Sequence, residues 1–112
     1  MSDDIRARIE GLIKDHHVML FMKGTKQFPA CGFSNAVVEI LKKEAAPFET
    51  FNILSDPEMR QALKEYSNWP TFPQLYVGGK FVGGCDIVTE MHQSGELKRE
   101  LAVAREAAQA VG

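Results

Sequence analysis

The spacing of hydrophobic positions changes several times along the chain, and each change marks an element. Ile5, Ile9, Leu12 and Ile13 recur at helical spacing, which predicts an amphipathic helix over 3–15. Val18-Met19-Leu20-Phe21-Met22 then shows no alternation, as expected of a strand covered on both faces in a parallel or mixed sheet. A polar loop follows from Lys23 to Ala30, broken by Gly24 and Pro29. Phe33, Ala36, Val37, Ile40 and Leu41 return to helical spacing, so a helix begins near Cys31 and runs to about Glu44.

Pro47 closes that helical region, and Phe48 to Ile53 reads as a second strand. Ser55-Asp56-Pro57-Glu58 is a helix start, with Ser55 and Glu58 as a capping box and Pro57 in the first turn. Met59, Ala62, Leu63 and Tyr66 make the apolar stripe of that helix. Leu75-Tyr76-Val77, Gly78-Gly79 and Lys80-Phe81-Val82 spell a hairpin with a two-residue turn. After Gly83-Gly84 a helix starts near Cys85-Asp86, Ser94-Gly95 breaks it, and an Ala-rich helix runs from about Glu96.

The order is α-β-α-β-α-β-β-α-α, an α/β chain. Its first two strands should be parallel through a right-handed helical crossover, and the hairpin should add antiparallel strands to the same sheet. With no repeat, linker or low-complexity stretch, 1–112 reads as one domain.

Composition narrows the class. Hydrophobic residues make up 45% and charged residues 25%, which is globular rather than disordered. A net charge of −2 argues against nucleic-acid binding dominated by phosphate contacts. Met1-Ser2-Asp3-Asp4 is acidic where a secretory signal would begin basic, and Val18–Met22 is too short a run to span a bilayer. These features predict a soluble cytoplasmic protein away from membranes. The two cysteines are too few for a disulfide scaffold. In a reducing compartment they point to redox or metal chemistry instead.

Cys31 sits where a loop turns into a helix. The first free N–H groups of that helix and its dipole favour thiolate over thiol there, and Lys23 at the end of the first strand can add positive charge. Ser34 stands where a second Cys would make C-x-x-C. A hydroxyl cannot resolve a mixed disulfide, so Cys31 must work with an external thiol, a second subunit or a metal. Ser34 itself reads as a plain first-turn helix residue. Cys85, in a glycine-rich turn, is either a small helix-start residue or a reversible disulfide partner, with the former favoured. His16, His17 and His92 show no zinc-ligand spacing with the cysteines. Lys98, Arg99 and Arg105 alternate with Glu as on a solvated helical face.

Four stretches taken in order resemble the CGFS-type monothiol glutaredoxins over nearly the whole chain. They are Met22-Lys23-Gly24-Thr25, Cys31-Gly32-Phe33-Ser34, Trp69-Pro70-Thr71-Phe72-Pro73-Gln74 and Gly83-Gly84-Cys85-Asp86. The resemblance implies a thioredoxin-like fold, a central mixed four-stranded sheet flanked by helices, and a cis bond at Phe72-Pro73. It also implies glutathione binding: Lys23 and Arg60 at the glycine carboxylate, the Phe72 backbone at the cysteinyl peptide group, and the Cys85 backbone with Asp86 at the γ-glutamyl end. Such an assignment suits the chemistry of a short extended peptide with two carboxylates and one ammonium. On the residues alone, Lys23 and Arg60 read equally as solvated charges, Asp86 as a helix N-cap, Phe72 as a packed side chain and Trp69 as a core or lid aromatic.

A 2Fe–2S cluster takes four ligands, mostly thiolates. One chain offers one well-placed thiolate, Cys31, so two chains leave two ligands to be supplied, and glutathione bound beside each Cys31 would supply them. The resemblance implies the same cluster-bridged homodimer. It further implies a role in cluster delivery to iron-sulfur apoproteins and in iron homeostasis, often alongside a BolA-like partner. The alternative is a monothiol oxidoreductase that removes glutathione from mixed disulfides through Cys31.

Overall fold

All five residues of β1 (Val18–Met22) are buried, because helices cover both faces of the sheet it runs through. The structure is a computed structural model that describes residues 1–111. Val18, Leu20 and Met22 point to one face and pack with α2 (Gly32–Lys43), α4 (Cys85–Ser94) and α5 (Glu96–Val111). Met19 and Phe21 point to the other and pack with α1 (Asp3–Asp15) and α3 (Pro57–Ser67). Side chains alternate across a strand, so a strand with two dry faces shows no alternation of polarity. Fully burying each large side chain stabilises the fold by about 1.5–3 kcal/mol.

The sheet has the order β2-β1-β3-β4, with β2 at Glu49–Asn52, β3 at Gln74–Val77 and β4 at Lys80–Gly83. β1 and β2 are parallel in the register Met22↔Asn52, with α2 as their crossover. β3 runs antiparallel to β1, and β4 antiparallel to β3, as the hairpin pattern requires. This is the thioredoxin-like α/β arrangement expected from the motifs.

Two boundaries depart from the sequence expectation. The second strand is shorter than Phe48–Ile53. Its last residue, Asn52, accepts the Leu54 N–H on its side chain at 3.0 Å and turns the chain into a single 3-10 turn at Ile53–Ser55. The α3 cap is Asp56 rather than Ser55: the Asp56 carboxylate accepts the Met59 N–H at 3.1 Å, so no Ser55–Glu58 capping box forms. Ser55 instead donates its hydroxyl to the Asn52 carbonyl at 2.7 Å. A short polar side chain one residue nearer to Pro57 wins the cap, with proline at the first helical position where its missing N–H costs nothing. Arg8 of α1 donates to the same carboxylate at 2.9 Å and ties the two helices of that face together.

Candidate functional site

The ends of β1, α2, β3 and α4 meet at one end of the sheet, and the chemistry gathers there. Cys31 is the N-cap of α2, half-buried, with extended backbone geometry. Its sulfur accepts the Ser34 N–H at 3.5 Å. Burial pushes the thiol up, but hydrogen bonds from the Ser34 backbone and side chain, then from the Phe33 backbone, together with the Lys23 charge, outweigh it and leave the thiol below its ordinary value. These surroundings favour the thiolate more than an ordinary cysteine's do.

Ser34 is more than a first-turn residue. It is fully buried, accepts the Lys23 N–H at 3.1 Å, and lies with its oxygen 3.7 Å from Cys31 Sγ. With the Lys23 donor occupying an oxygen lone pair, its single proton is free to point at the sulfur. The loop before α2 is held just as tightly. Gly24 has φ +91, and a Cβ there would lie 2.4 Å from the Ala30 nitrogen and 2.6 Å from the Phe28 oxygen. Only glycine fits a backbone so closely approached by its own loop. Thr25 and Phe28 pair their backbones across that loop, and Phe28 and Phe33, which flank Cys31 in sequence, are 82% and 65% exposed.

Beside the thiol lies a cleft of about 520 Å³, lined by Lys23, Phe33, Trp69, Phe72, Cys85 and Asp86 among others. The Phe72–Pro73 peptide is cis. The Phe72 side chain is buried in the α1–α3 face, as its packing reading expects, and Phe72 also lines the cleft. Gln74, fully buried, donates its amide to the Trp69 and Thr71 carbonyls at 3.1 and 3.2 Å and staples this loop in place. Gly84 is the N-cap of α4. A Cβ there would come within 3.3 Å of both the Pro73 oxygen and Trp69 Nε1, so a bare backbone lets the start of α4 approach the proline. Asp86 lies in the first turn of α4 and is not its cap, a correction to the cap expectation; its carboxylate is exposed at the cleft. Cys85 opens the same turn, half-buried, as a free thiol.

The cleft thus brings together Lys23, Phe72, Cys85 and Asp86, and Phe33, two residues beyond Cys31, lines it as well. Arg60 stands apart on α3: it is half-buried, outside the residues that line the cleft, and its Nε is buried without a partner. Trp69 forms part of the cleft wall and packs on Phe81 at a centroid distance of 5.7 Å. His92 pairs with Glu44 at 3.1 Å, far along both helices from the thiol end.

A thiol at a helix N-cap, near a cleft that a cis-proline lines at the end of a mixed sheet, defines a thioredoxin-like thiol site. The glutaredoxin family model matches residues 18–82. A ycf64-like uncharacterized monothiol glutaredoxin of Synechocystis is 57% identical over 93% of this chain and 97% of its own length. The chloroplastic monothiol glutaredoxin-S14 of Arabidopsis thaliana is 55% identical over 90% of the chain, which spans 58% of that protein. The solution structure of reduced poplar apo GrxS14 superposes with a TM-score of 0.82 at 54% identity, covering 90% of this chain and 93% of that one. The chain belongs to the glutaredoxin family, in its CGFS-type monothiol branch.

Proposed function

We propose that this glutaredoxin carries a 2Fe–2S cluster between two copies of itself, with glutathione supplying the ligands that the chains lack, and passes it to iron-sulfur apoproteins. The observation that carries the proposal is the pairing of one thiolate-favouring cysteine with a peptide-sized cleft lined by one cation, Lys23, and one carboxylate, Asp86. Among the described residues no group of three or more His, Cys, Asp or Glu side chains is placed to hold a metal. One chain offers one cysteine whose surroundings favour thiolate, Cys31, and so half a site. A two-fold pair contributes two, and thiols bound in the two clefts bring the number to the four a cluster needs.

The chain's own groups suit glutathione. Lys23 matches a carboxylate, Asp86 an ammonium, and the Phe72 N–H and C=O make no backbone hydrogen bond among the described residues, which leaves them free for the peptide group between. Arg60 would add to the glycine end by reorienting from α3. When bound, the cluster supplies exchangeable iron and sulfide. The exposed rings of Phe28 and Phe33 beside Cys31 keep the thiol end open to a second copy or to an acceptor, including a BolA-like protein.

A second activity is favoured by the same thiolate. Cys31 attacks the glutathione sulfur of a protein–glutathione disulfide, forming a Cys31–glutathione disulfide and releasing the protein thiolate. Free glutathione thiolate then attacks the glutathione sulfur of that disulfide, giving glutathione disulfide and the Cys31 thiolate again. Ser34 takes no part as a nucleophile.

Anaerobic reconstitution with and without glutathione tests the main proposal, with visible absorption, iron and sulfide content and solution mass recorded, and glutathionyl-disulfide turnover assayed on the same sample. A dimer holding one cluster and two glutathiones, formed only when glutathione is present, is expected. Disulfide turnover without any cluster uptake would leave the oxidoreductase as the function.

A further inference from the structure

The cleft's cation sits on neither a helix nor a strand. Lys23 follows the last residue of β1, and three hydrogen bonds lock its backbone. Its own N–H goes to Ser34 Oγ at 3.1 Å, its carbonyl accepts the Ala30 N–H at 2.9 Å, and the next N–H, that of Gly24, goes to Asn52 Oδ1 at 2.9 Å. The last of these reaches across 28 residues of sequence. The same Asn52 oxygen accepts the Leu54 N–H at 3.0 Å, which starts the turn that leads through Asp56 into α3 and Arg60. Asn52 is itself fixed: it pairs with Met22 in the β1–β2 ladder, and its carbonyl accepts the Ser55 hydroxyl at 2.7 Å. One carbonyl oxygen has two lone pairs, and here each meets a backbone N–H from a different segment.

We propose that Asn52 is a positioning residue: its side-chain oxygen fixes where the Lys23 ammonium stands relative to a carboxylate of the bound peptide. The inference rests on the glutathione assignment above and extends it to a residue outside the cleft. An ordinary stabilising contact would affect every ligand equally. A positioning contact affects the part of the ligand that Lys23 meets.

Two ligands separate these possibilities: S-methylglutathione, and its analogue in which the glycine carboxylate is an amide. The parent protein should bind the acid about ten- to a hundred-fold more tightly than the amide, the range of a charge-assisted contact. Asn52→Ala should cut that preference by about five-fold, with the amide's affinity nearly unchanged. Far-UV circular dichroism and urea unfolding confirm that each variant is folded. If Asn52→Ala is too unstable to titrate, Asn52→Ser, with a shorter acceptor, gives the same comparison. Equal weakening of acid and amide by the alanine or serine variant would overturn the inference while the cleft assignment stands. A parent protein that does not prefer the acid would overturn the carboxylate assignment and this inference with it.

Discussion

Replacing Ser34 with alanine separates the tuning of the thiol from the packing of the loop. The hydroxyl makes two contacts, to the Lys23 N–H at 3.1 Å and to Cys31 Sγ at 3.7 Å, in a fully buried position. Its removal leaves the Lys23 N–H without an acceptor, at a cost of about 1–3 kcal/mol. In a domain of this size each kcal/mol lowers Tm by roughly 4 °C or more. The sulfur loses its side-chain donor but keeps the Ser34 and Phe33 backbone donors and the Lys23 charge, against the burial that pushes the thiol up. The thiol therefore rises part of the way back toward its ordinary range. The assay is the alkylation rate of Cys31 by iodoacetamide across pH, in a Cys85→Ser background so that one thiol reports. The parent retains reactive thiolate to lower pH, so the Ser34→Ala profile should shift to higher pH while Tm falls. A lower Tm with an unmoved profile would refute the hydroxyl's role at the sulfur. An unmoved Tm would show that the Lys23 N–H finds another acceptor.

Gly24→Ala should destabilise by at least about 2 kcal/mol, since a left-handed backbone and clashes with main-chain atoms at 2.4 and 2.6 Å act together; a urea midpoint within error of the parent would contradict this. The Asp56 carboxyl lies below its ordinary value, chiefly through the Met59 N–H and, against slight burial, through Arg8. Its contribution is present above the unfolded carboxylate pKa of about 3.9 and is lost as pH falls through the folded value, so Asp56→Asn should show a shallower loss of stability in acid. Unfolding curves over that range decide it. Cys31→Ser should abolish cluster uptake, whereas Cys85→Ser should retain much of it; loss of all iron in both would mean that the two chains supply four cysteines themselves.

The sequence shows the scaffold of the site because the signals are local. The unalternating Val18–Met22 run, the helical stripe after Cys31 and the Gly78-Gly79 turn each report a backbone preference or a burial pattern within a few residues. What it hides are contacts between side chain and backbone across long separations. Asn52 looks like one more strand residue, yet its side chain ends β2 and holds a loop 28 residues away. Gln74 reads as part of a motif but works as a buried staple for the cis-proline loop. Ser34 reads as a first-turn residue because nothing within its own helix reveals that the Lys23 N–H arrives from β1. Helix caps were off by one residue at α3 for a related reason: Ser55 and Asp56 are both good caps, and the 3-10 turn set by Asn52 places Asp56 at the boundary. The place of Arg60, outside the cleft lining, depends on how α3 lies on the sheet, which no local pattern encodes.

Cluster half-life against glutathione concentration, with dimer fraction followed in parallel, tests the cluster-bridged assembly most directly. In the proposed assignment Lys23 and Asp86 meet opposite ends of the peptide, so Lys23→Ala and Asp86→Ala should each lower glutathione affinity by roughly ten- to a hundred-fold without unfolding the domain. In both variants the half-life should shorten and then lengthen again as glutathione is raised, by mass action on the folded complex, with the dimer persisting as long as the cluster does. A cluster that survives in a monomer, or whose half-life ignores glutathione in the parent and both variants, would contradict the proposed assembly.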